Sequence, residues 1–485
     1  MISERLRRVL FVSYLFPPVG GVGVQRVTKF VKYLPEFGWQ SSVLTVENPS
    51  VPLFDDSYER DIPANTIIRR ARTWEPDYAL KRAVAAGTNK GGRRGLWHWA
   101  KGCIRRAANL VLQPDSQVLW HRAARKAGLQ LLKEVPHDVI VATGPPFSSL
   151  LLGAQLAART GLPLILDYRD EWSISNAYWE NKQQGWLENW IQRRQQYSAV
   201  RAAQVLLATT PSSAKAIAAI GAEAGSHARS ACIYNGFDPA DFAQVCSRTD
   251  APALVLPPEL PPRSPDEFRL AFVGTLWNLN SIEPLVNAIE QLSVRYPALA
   301  ARLELVLVGR RTADQEQLLD RLKTFPCTVH RLQFVEHAQA VQIMRDADAL
   351  LMLNSAVAHA ERVINAKTFE YMAARRPMFV IAPEGDVWDI TRDLPGTVLC
   401  RPQDLERITE GLALAIEQHR CGVIHDPADW QIERFERREL AKQLAQLLDE
   451  TALAARTRLL ISGNKRSGYD SPEWNVPEDQ IPGEM

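Results

Sequence analysis

Cysteine is scarce and scattered: six residues in 485, at positions 103, 232, 246, 327, 400 and 421, with no CxxC pair. That spread excludes a zinc ribbon and a disulfide framework, and it fits a reducing compartment. His419, Cys421 and His425 make the one short metal-like cluster, which reads as surface loop. No run reaches the roughly 18 apolar residues needed to span a bilayer. A secretory signal is missing too. Arg5, Arg7 and Arg8 precede the apolar run Val9 to Phe16, but that run stops at Pro17-Pro18 and reads as a buried strand. Excess charge is also lacking: 57 Lys plus Arg stand against 55 Asp plus Glu, a net of +2, so the whole chain offers no argument for a polyanionic partner. The expectation is a cytoplasmic protein, at most peripheral at the inner face of the cell membrane.

What is present is ordinary globular composition, 46% hydrophobic and 23% charged, over a length that predicts two large domains. Short apolar runs alternate with amphipathic stretches. Val9–Tyr14 reads as a strand, Val24–Phe37 as a helix ended by Gly38, and Ser42–Val46 as the next strand, which makes one βαβ unit. Strand-like runs return at Val139–Thr143, Leu164–Asp167 and Val205–Thr209. A second series covers Phe268–Val273, Leu303–Val308, Thr328–Phe334, Ala349–Leu353 and Met378–Ile381. The fold class is therefore α/β, two Rossmann-like lobes with parallel sheets.

Six prolines between 249 and 267 mark the boundary, because such density cannot sit inside a central strand or helix. The expected division is a first lobe over 1–248, a linker over 249–267, a second lobe over 268–430, a C-terminal helix over 431–461 and a disordered tail over 462–485. Between Arg69 and Arg106 eleven basic residues face only Glu75 and Asp77, with Trp74, Trp97 and Trp99 interleaved. Leu96–Arg106 has the pattern of a basic amphipathic helix suited to an anionic membrane surface; a solvated insertion is the plainer alternative. No nucleic-acid-binding motif accompanies it.

From Gly21 the string Gly-Val-Gly-Val-Gln-Arg puts Arg26 where a dinucleotide fingerprint needs its third glycine. Glu47 ends the next strand, where a ribose-binding acid would sit, but Arg26 makes the dehydrogenase reading weak. The glycines still let backbone approach a ligand at a helix N-terminus. Asp167, Arg169 and Asp170 fall at the C-terminal end of a strand, where parallel sheets bind ligands.

Several motifs in order resemble the retaining glycosyltransferases of family 4, which have the GT-B fold. They are Tyr14-Leu-Phe-Pro-Pro-Val-Gly-Gly, Thr143-Gly-Pro-Pro-Phe-Ser-Ser, Leu166-Asp-Tyr-Arg-Asp-Glu-Trp, Tyr234-Asn-Gly-Phe-Asp and Phe272-Val-Gly-Thr-Leu. Phe334-Val-Glu-His, Met344-Arg-Asp-Ala-Asp-Ala-Leu-Leu and Lys367-Thr-Phe-Glu-Tyr-Met-Ala-Ala-Arg-Arg-Pro follow. The nearest resemblance is to the branch acting on bacterial cell-envelope and exported polysaccharides. It implies a nucleotide-sugar donor on the second lobe, a lipid-linked or glycan acceptor on the first, and retention of configuration by a front-face mechanism.

Residue by residue, the resemblance makes Glu370 the carboxylate on the ribose hydroxyls, and Val335 and Glu336 the segment meeting the nucleobase. Gly20, Gly21, Gly274 and Thr275 fall on the donor side, and Gly144 and Ser148 on the acceptor side with Asp167. Two departures stand out. The position eight residues before Glu370 is Arg362 rather than a glutamate, with Glu361 one residue off register, so that either a local insertion shifts Glu361 into the donor site or the sugar-contacting acid is absent. Thr275-Leu-Trp-Asn-Leu-Asn lacks the cations that often grip the diphosphate. Lys367 is the first candidate for that task, with Arg362 and Arg310 behind it. Asp170 is expected as an acceptor-side polar group or base and Arg169 as an orienting or phosphate contact. No metal or cofactor is expected, since helix dipoles and cations can neutralise the phosphates, and no nucleic-acid partner. A sugar-nucleotide epimerase and a catalytically silent subunit of a membrane assembly are the alternatives.

Overall fold

Each of those apolar runs becomes a strand, and every strand lies parallel to its neighbours. The computed structural model of the chain describes residues 6–79, 81, 110, 112–178, 185–246, 257–258 and 260–464. The first lobe contains β1 (Arg7–Val12), β2 (Trp39–Val46), β3 (Ile67–Ala71), β4 (Val139–Gly144), β5 (Leu164–Tyr168), β6 (Val205–Ala208) and β7 (Arg229–Cys232). Their spatial order is β3-β2-β1-β4-β5-β6-β7. The second lobe contains β8 (Phe268–Val273), β9 (Leu303–Val308), β10 (Thr328–Leu332), β11 (Ala349–Leu353), β12 (Met378–Ile381) and β13 (Val398–Cys400), in the order β10-β9-β8-β11-β12-β13. Both orders reverse beside the first strand, and the crevice at that switch point is where open parallel sheets take ligands.

Period-2 alternation sorts each sheet's side chains to two covered faces. Leu10 and Val12 enter one core with Leu150 and Val200, while Val9 and Phe11 enter another with Val27 and Phe30. The helix Val22–Tyr33 starts at Gly21, whose φ of 97° suits a residue without a Cβ. It tightens into a 3₁₀ turn over Leu34–Phe37 and stops at Gly38, left-handed at φ 78°, as the sequence predicts.

Two segments cross between the lobes side by side. Phe237 N–H donates to the Phe435 carbonyl at 3.1 Å, and Arg437 N–H returns to Phe237 at 2.8 Å. A Cβ on Gly236 would lie 2.1 Å from the Phe435 oxygen, so the Asn-Gly pair allows the close approach. The returning helix Arg437–Asn464 then lays Leu440, Leu444, Leu447 and Leu448 onto the first lobe. Asp449 on that helix accepts from Trp39 Nε1 at 2.9 Å and pairs with Arg7.

β3 and β13 were not anticipated, while β7 ends just before Ile233-Tyr234, which the sequence marks as a strand end ahead of the Asn-Gly turn; all three are short sheet-edge segments. The basic stretch begins within β3, where Arg69 and Arg70 sit on the edge strand and Arg69 pairs with Glu134 at 2.5 Å. Leu96–Arg106, residues 247–256 of the boundary region and residues 465–485 of the tail lie outside the described residues. No helix among the described residues is long and apolar enough to cross a membrane.

Candidate active site

The C-terminal ends of both sheets meet across a cleft that holds a pocket. Its first-lobe wall is Arg169, Asp170 and Glu171 after β5, with Thr209, Thr210 and Ser213 after β6. Its second-lobe wall is Trp277, Leu279 and Asn280 after β8, and Asn354 to Asn365 after β11. These are the loops that the strand order brings together.

The three charges after Leu166 have separate fates. Asp167 is 1% exposed and paired with Arg26 at 3.0 Å; it also accepts from Thr143 Oγ1 at 2.9 Å. Arg26 does not obstruct the helix–strand packing; it lies buried there and donates to the Tyr234 carbonyl at 2.8 Å as well. Arg169 hydrogen-bonds the Gly23 and Pro145 carbonyls through its two terminal nitrogens. It thereby ties the glycine loop to the Gly144-Pro-Pro turn, and its buried Nε has no partner among the described residues. Burial lowers the Arg169 pKa, against the opposing charges of Asp170 and Asp167.

Asp170 is half-buried on the pocket wall and makes no hydrogen bond or ion pair among the described residues. Burial raises its carboxyl pKa, and the Arg169 charge opposes only part of that rise. A carboxylate with free lone pairs and raised basicity is suited to accepting a proton or a substrate hydroxyl. Glu171, next in sequence, is committed instead: Ser213 Oγ donates to it at 2.7 Å and Arg362 Nη1 reaches it at 3.3 Å.

Arg362 therefore spans the two lobes. Thr210 Oγ1 donates to its carbonyl at 2.9 Å, and nearby Ser212 gives two hydrogen bonds to Asp386, at 3.1 Å and 2.8 Å. Glu361 turns toward Arg362 Nε at 3.5 Å and His359 at 3.8 Å, with its side chain 44% exposed.

Lys367 and Glu370 are brought together as an ion pair on the helix Ala366–Ala374. Burial alone would raise the Glu370 pKa, but the Lys367 and His337 charges bring it below the ordinary value. Its charge is felt by Tyr58 of the first lobe, whose hydroxyl is pushed up to about 12, chiefly by burial. Gln25, just after the glycine loop, donates to that hydroxyl at 3.1 Å. Glu370 is buried and is not among the pocket-lining residues, while Asn365, at the N-cap of the same helix, lines the pocket. Asn365 Nδ2 donates to Asn354 Oδ1 at 2.8 Å, and Asn354 donates to the Val363 carbonyl at 2.9 Å, which fixes the wall beneath the helix start.

The remaining expected residues are spread more widely. Gly20 N–H bonds the Leu53 carbonyl at 3.0 Å, and Gly274 N–H bonds Val308 at 2.9 Å. Thr275 and Arg310 are exposed, and Gly144 and Ser148 are buried inside the first lobe. Glu336 caps the helix His337–Asp346 beside half-buried Val335 and Phe334, whose ring is 74% exposed. Sequence reasoning passed over Glu171, Thr210, Asn354, Asn365 and Trp277. Only the strand-end positions of Glu171, Thr210 and Asn354, and the place of Trp277 in the cation-poor stretch, could have marked them. Asp61, Asp238 and Asp241 converge closely enough to hold a cation, but the Lys29 ammonium already sits among them at 2.7 Å, 2.6 Å and 3.0 Å.

Residues 20–236 match the family model of the glycosyl transferase 4-like domain, and residues 267–418 match that of the glycosyl transferases group 1. Among solved structures, the chain is similar to the N-terminal domain of trehalose-6-phosphate phosphatase from Candida albicans, at 12% identity over 93% of this chain and 98% of that one, TM-score 0.57. It is also similar to alpha,alpha-trehalose 6-phosphate synthase from Burkholderia multivorans, at 13% identity over 94% and 99%, TM-score 0.53. An E. coli protein bound with UDP-2-fluoro glucose aligns at 13% identity over 95% and 99%, TM-score 0.51. At these identities the likeness is one of fold. No curated protein sequence matches the chain at a significant level. Two parallel-sheet lobes closing on one cleft define a GT-B architecture. With a 4-like domain in its first lobe and a group 1 domain in its second, the chain is a glycosyltransferase.

Proposed function

We propose that the protein transfers a hexosyl group, with retention, from a nucleotide-sugar donor to a lipid-linked or glycan acceptor in cell-envelope or exported polysaccharide synthesis. It works from the cytoplasm, peripheral at the inner face of the membrane. The observation that carries this reading is the pairing of an unpartnered, raised-pKa Asp170 on one cleft wall with the start of the Ala366–Ala374 helix on the other. In this reading the ribose diol lies on Glu370, since a carboxylate accepts two hydrogen bonds from vicinal hydroxyls. The diphosphate lies at the helix N-terminus, where free N–H groups and the dipole favour anions. Lys367 supplies the cation missing from Thr275–Asn280; it leaves Glu370 when the donor enters and neutralises the departing phosphate. The base meets the Val335–Glu336 segment and the exposed ring of Phe334.

Asp170 receives the acceptor hydroxyl and orients it toward the anomeric carbon, while Arg169 keeps the two first-lobe loops at fixed separation. The leaving phosphate takes the acceptor proton on the same face, which gives retention. Lys367, Arg362 and the helix terminus are cations and dipole enough for this chemistry without a metal. The test is acceptor-dependent release of nucleoside diphosphate, with NMR assignment of the new anomeric centre. Transfer with the donor's anomeric configuration supports the proposal. Conversion of the nucleotide sugar without acceptor would make the protein an epimerase, and no turnover with any nucleotide sugar would make it a silent subunit.

A further inference from the structure

We infer that one helical face of the first lobe, led by Trp186, Leu187 and Trp190, docks on an anionic lipid bilayer; the inference rests on the lipid-linked acceptor proposed above. Four neighbouring helices cover that face: His121–Glu134, Ser148–Thr160, Trp186–Ala202 and Pro211–Glu223. Their inward residues, among them Ala124, Leu150, Val200 and Ile217, share one core against the sheet. Together the four carry nine Lys or Arg against three Glu. All three glutamates are already engaged. Glu134 takes Arg69 and Gln130, Glu188 takes the Gly185 N–H at the start of its own helix, and Glu223 takes Arg193 and Tyr197. Arg122, Lys126, Lys133, Arg159 and Lys215 make no ion pair among the described residues and are exposed. The face is therefore an uncompensated cationic surface on a chain whose net charge is +2.

Charge alone does not select a membrane; the tryptophans do. Trp186 is 80% exposed, Trp190 51% and Leu187 36%. Positions i, i+1 and i+4 share one side of a helix, so these large apolar groups form a single outward patch at its start. The Arg194 guanidinium lies 4.8 Å from the Trp190 ring centroid. An indole at headgroup depth beside an arginine at phosphate level is the arrangement that holds interfacial helices on anionic bilayers. The patch is also braced to the cleft. Trp172 Nε1 donates to Gln192 Oε1 at 2.9 Å, joining this helix to Trp172–Tyr178, whose Ile174 lines the pocket. Docking here holds the acceptor side of the cleft next to the lipid surface.

Sedimentation of the full-length protein with vesicles tests this, because Trp186→Ser with Trp190→Ser changes only exposed residues. The expected result is binding to phosphatidylcholine vesicles containing roughly a third phosphatidylglycerol, weakened by salt, and no binding to pure phosphatidylcholine. The double variant should bind the anionic vesicles about tenfold or more weakly, with nucleotide binding unchanged. A double variant that sediments like wild type overturns the inference. So does a wild type that ignores anionic vesicles, including one that binds a single-stranded oligonucleotide through the same tryptophans instead. Vesicle binding through the two tryptophans by a protein that binds no nucleoside diphosphate would keep the docking face and sink the transferase reading, so the two failures are separable.

Discussion

The two lobes share one strand order and use the ends of their strands differently. In the first lobe the charged groups after β5 are mostly tied inward: Asp167 to Arg26, Arg169 to two carbonyls, Glu171 to Ser213 and Arg362, with Asp170 left unpaired among the described residues. In the second lobe the corresponding end carries neutral amides, Asn354 and Asn365, under a helix terminus whose cation is held on its own Glu370. The difference separates two tasks. The first lobe fixes a loop scaffold around a single reactive carboxylate, and the second offers a polar cradle whose charges can be exchanged for those of a ligand.

Breaking the scaffold should have the largest effect. Arg26→Met leaves Asp167 buried without its counter-charge, and removing one partner of such a pair costs about 3–5 kcal/mol. Chemical denaturation should show the first lobe destabilised by that order; a loss under about 1 kcal/mol would mean that Thr143 and its surroundings suffice for Asp167. Asp170→Asn should do the opposite. Turnover should fall about tenfold to a hundredfold, the range for losing a charged hydrogen-bond acceptor that orients the hydroxyl, with no loss of stability.

The sign for Asp170 follows from its raised folded pKa. The folded chain holds that proton more tightly than the unfolded chain, so ionisation costs stability above the folded pKa, and the cost fades as pH falls through it. The variant should match or exceed wild-type stability at neutral pH, and the gap should shrink on acidification. A widening gap in acid would contradict the placement of this carboxyl in a desolvated wall.

In the cradle, Glu370→Gln removes a charged acceptor for two hydroxyls, and hydrogen bonds to charged groups are worth about 1.5–3 kcal/mol. The expected loss of nucleotide affinity is about tenfold to a hundredfold. The smallest effect belongs to the contact between lobes. Arg362→Met leaves Glu171 with Ser213 alone, and a partly exposed pair of this kind should change nucleotide affinity by less than about fivefold. A larger change would place Arg362 on the ligand itself and narrow the contrast between scaffold and cradle.

The same contrast explains what the sequence made legible. Central strands such as Leu303–Val308 are continuous apolar runs because both faces are covered, so they stand out. Ile67–Ala71 and Val398–Cys400 sit at sheet edges, where short and partly polar segments suffice, and periodicity passes over them. Within the site, the strand-end rule picked out Asp167, Arg169 and Asp170 together. It could not tell them apart, because Arg26 is 141 residues from Asp167 in sequence and Arg362 is 191 from Glu171. The Lys367–Glu370 pair was visible because helix geometry puts i and i+3 on one side. Which lysine, arginine or aspartate stays available to a ligand is decided by tertiary pairing, which no local pattern records.

The central claim is that the second lobe holds a nucleoside diphosphate through Glu370 and the helix that begins at Asn365. Calorimetric titration of UDP and GDP into wild type and Glu370→Gln tests it most directly. The account predicts saturable binding of at least one by wild type and a loss of about tenfold or more in the variant. Equal affinity in the two proteins, or no binding by wild type, would contradict it.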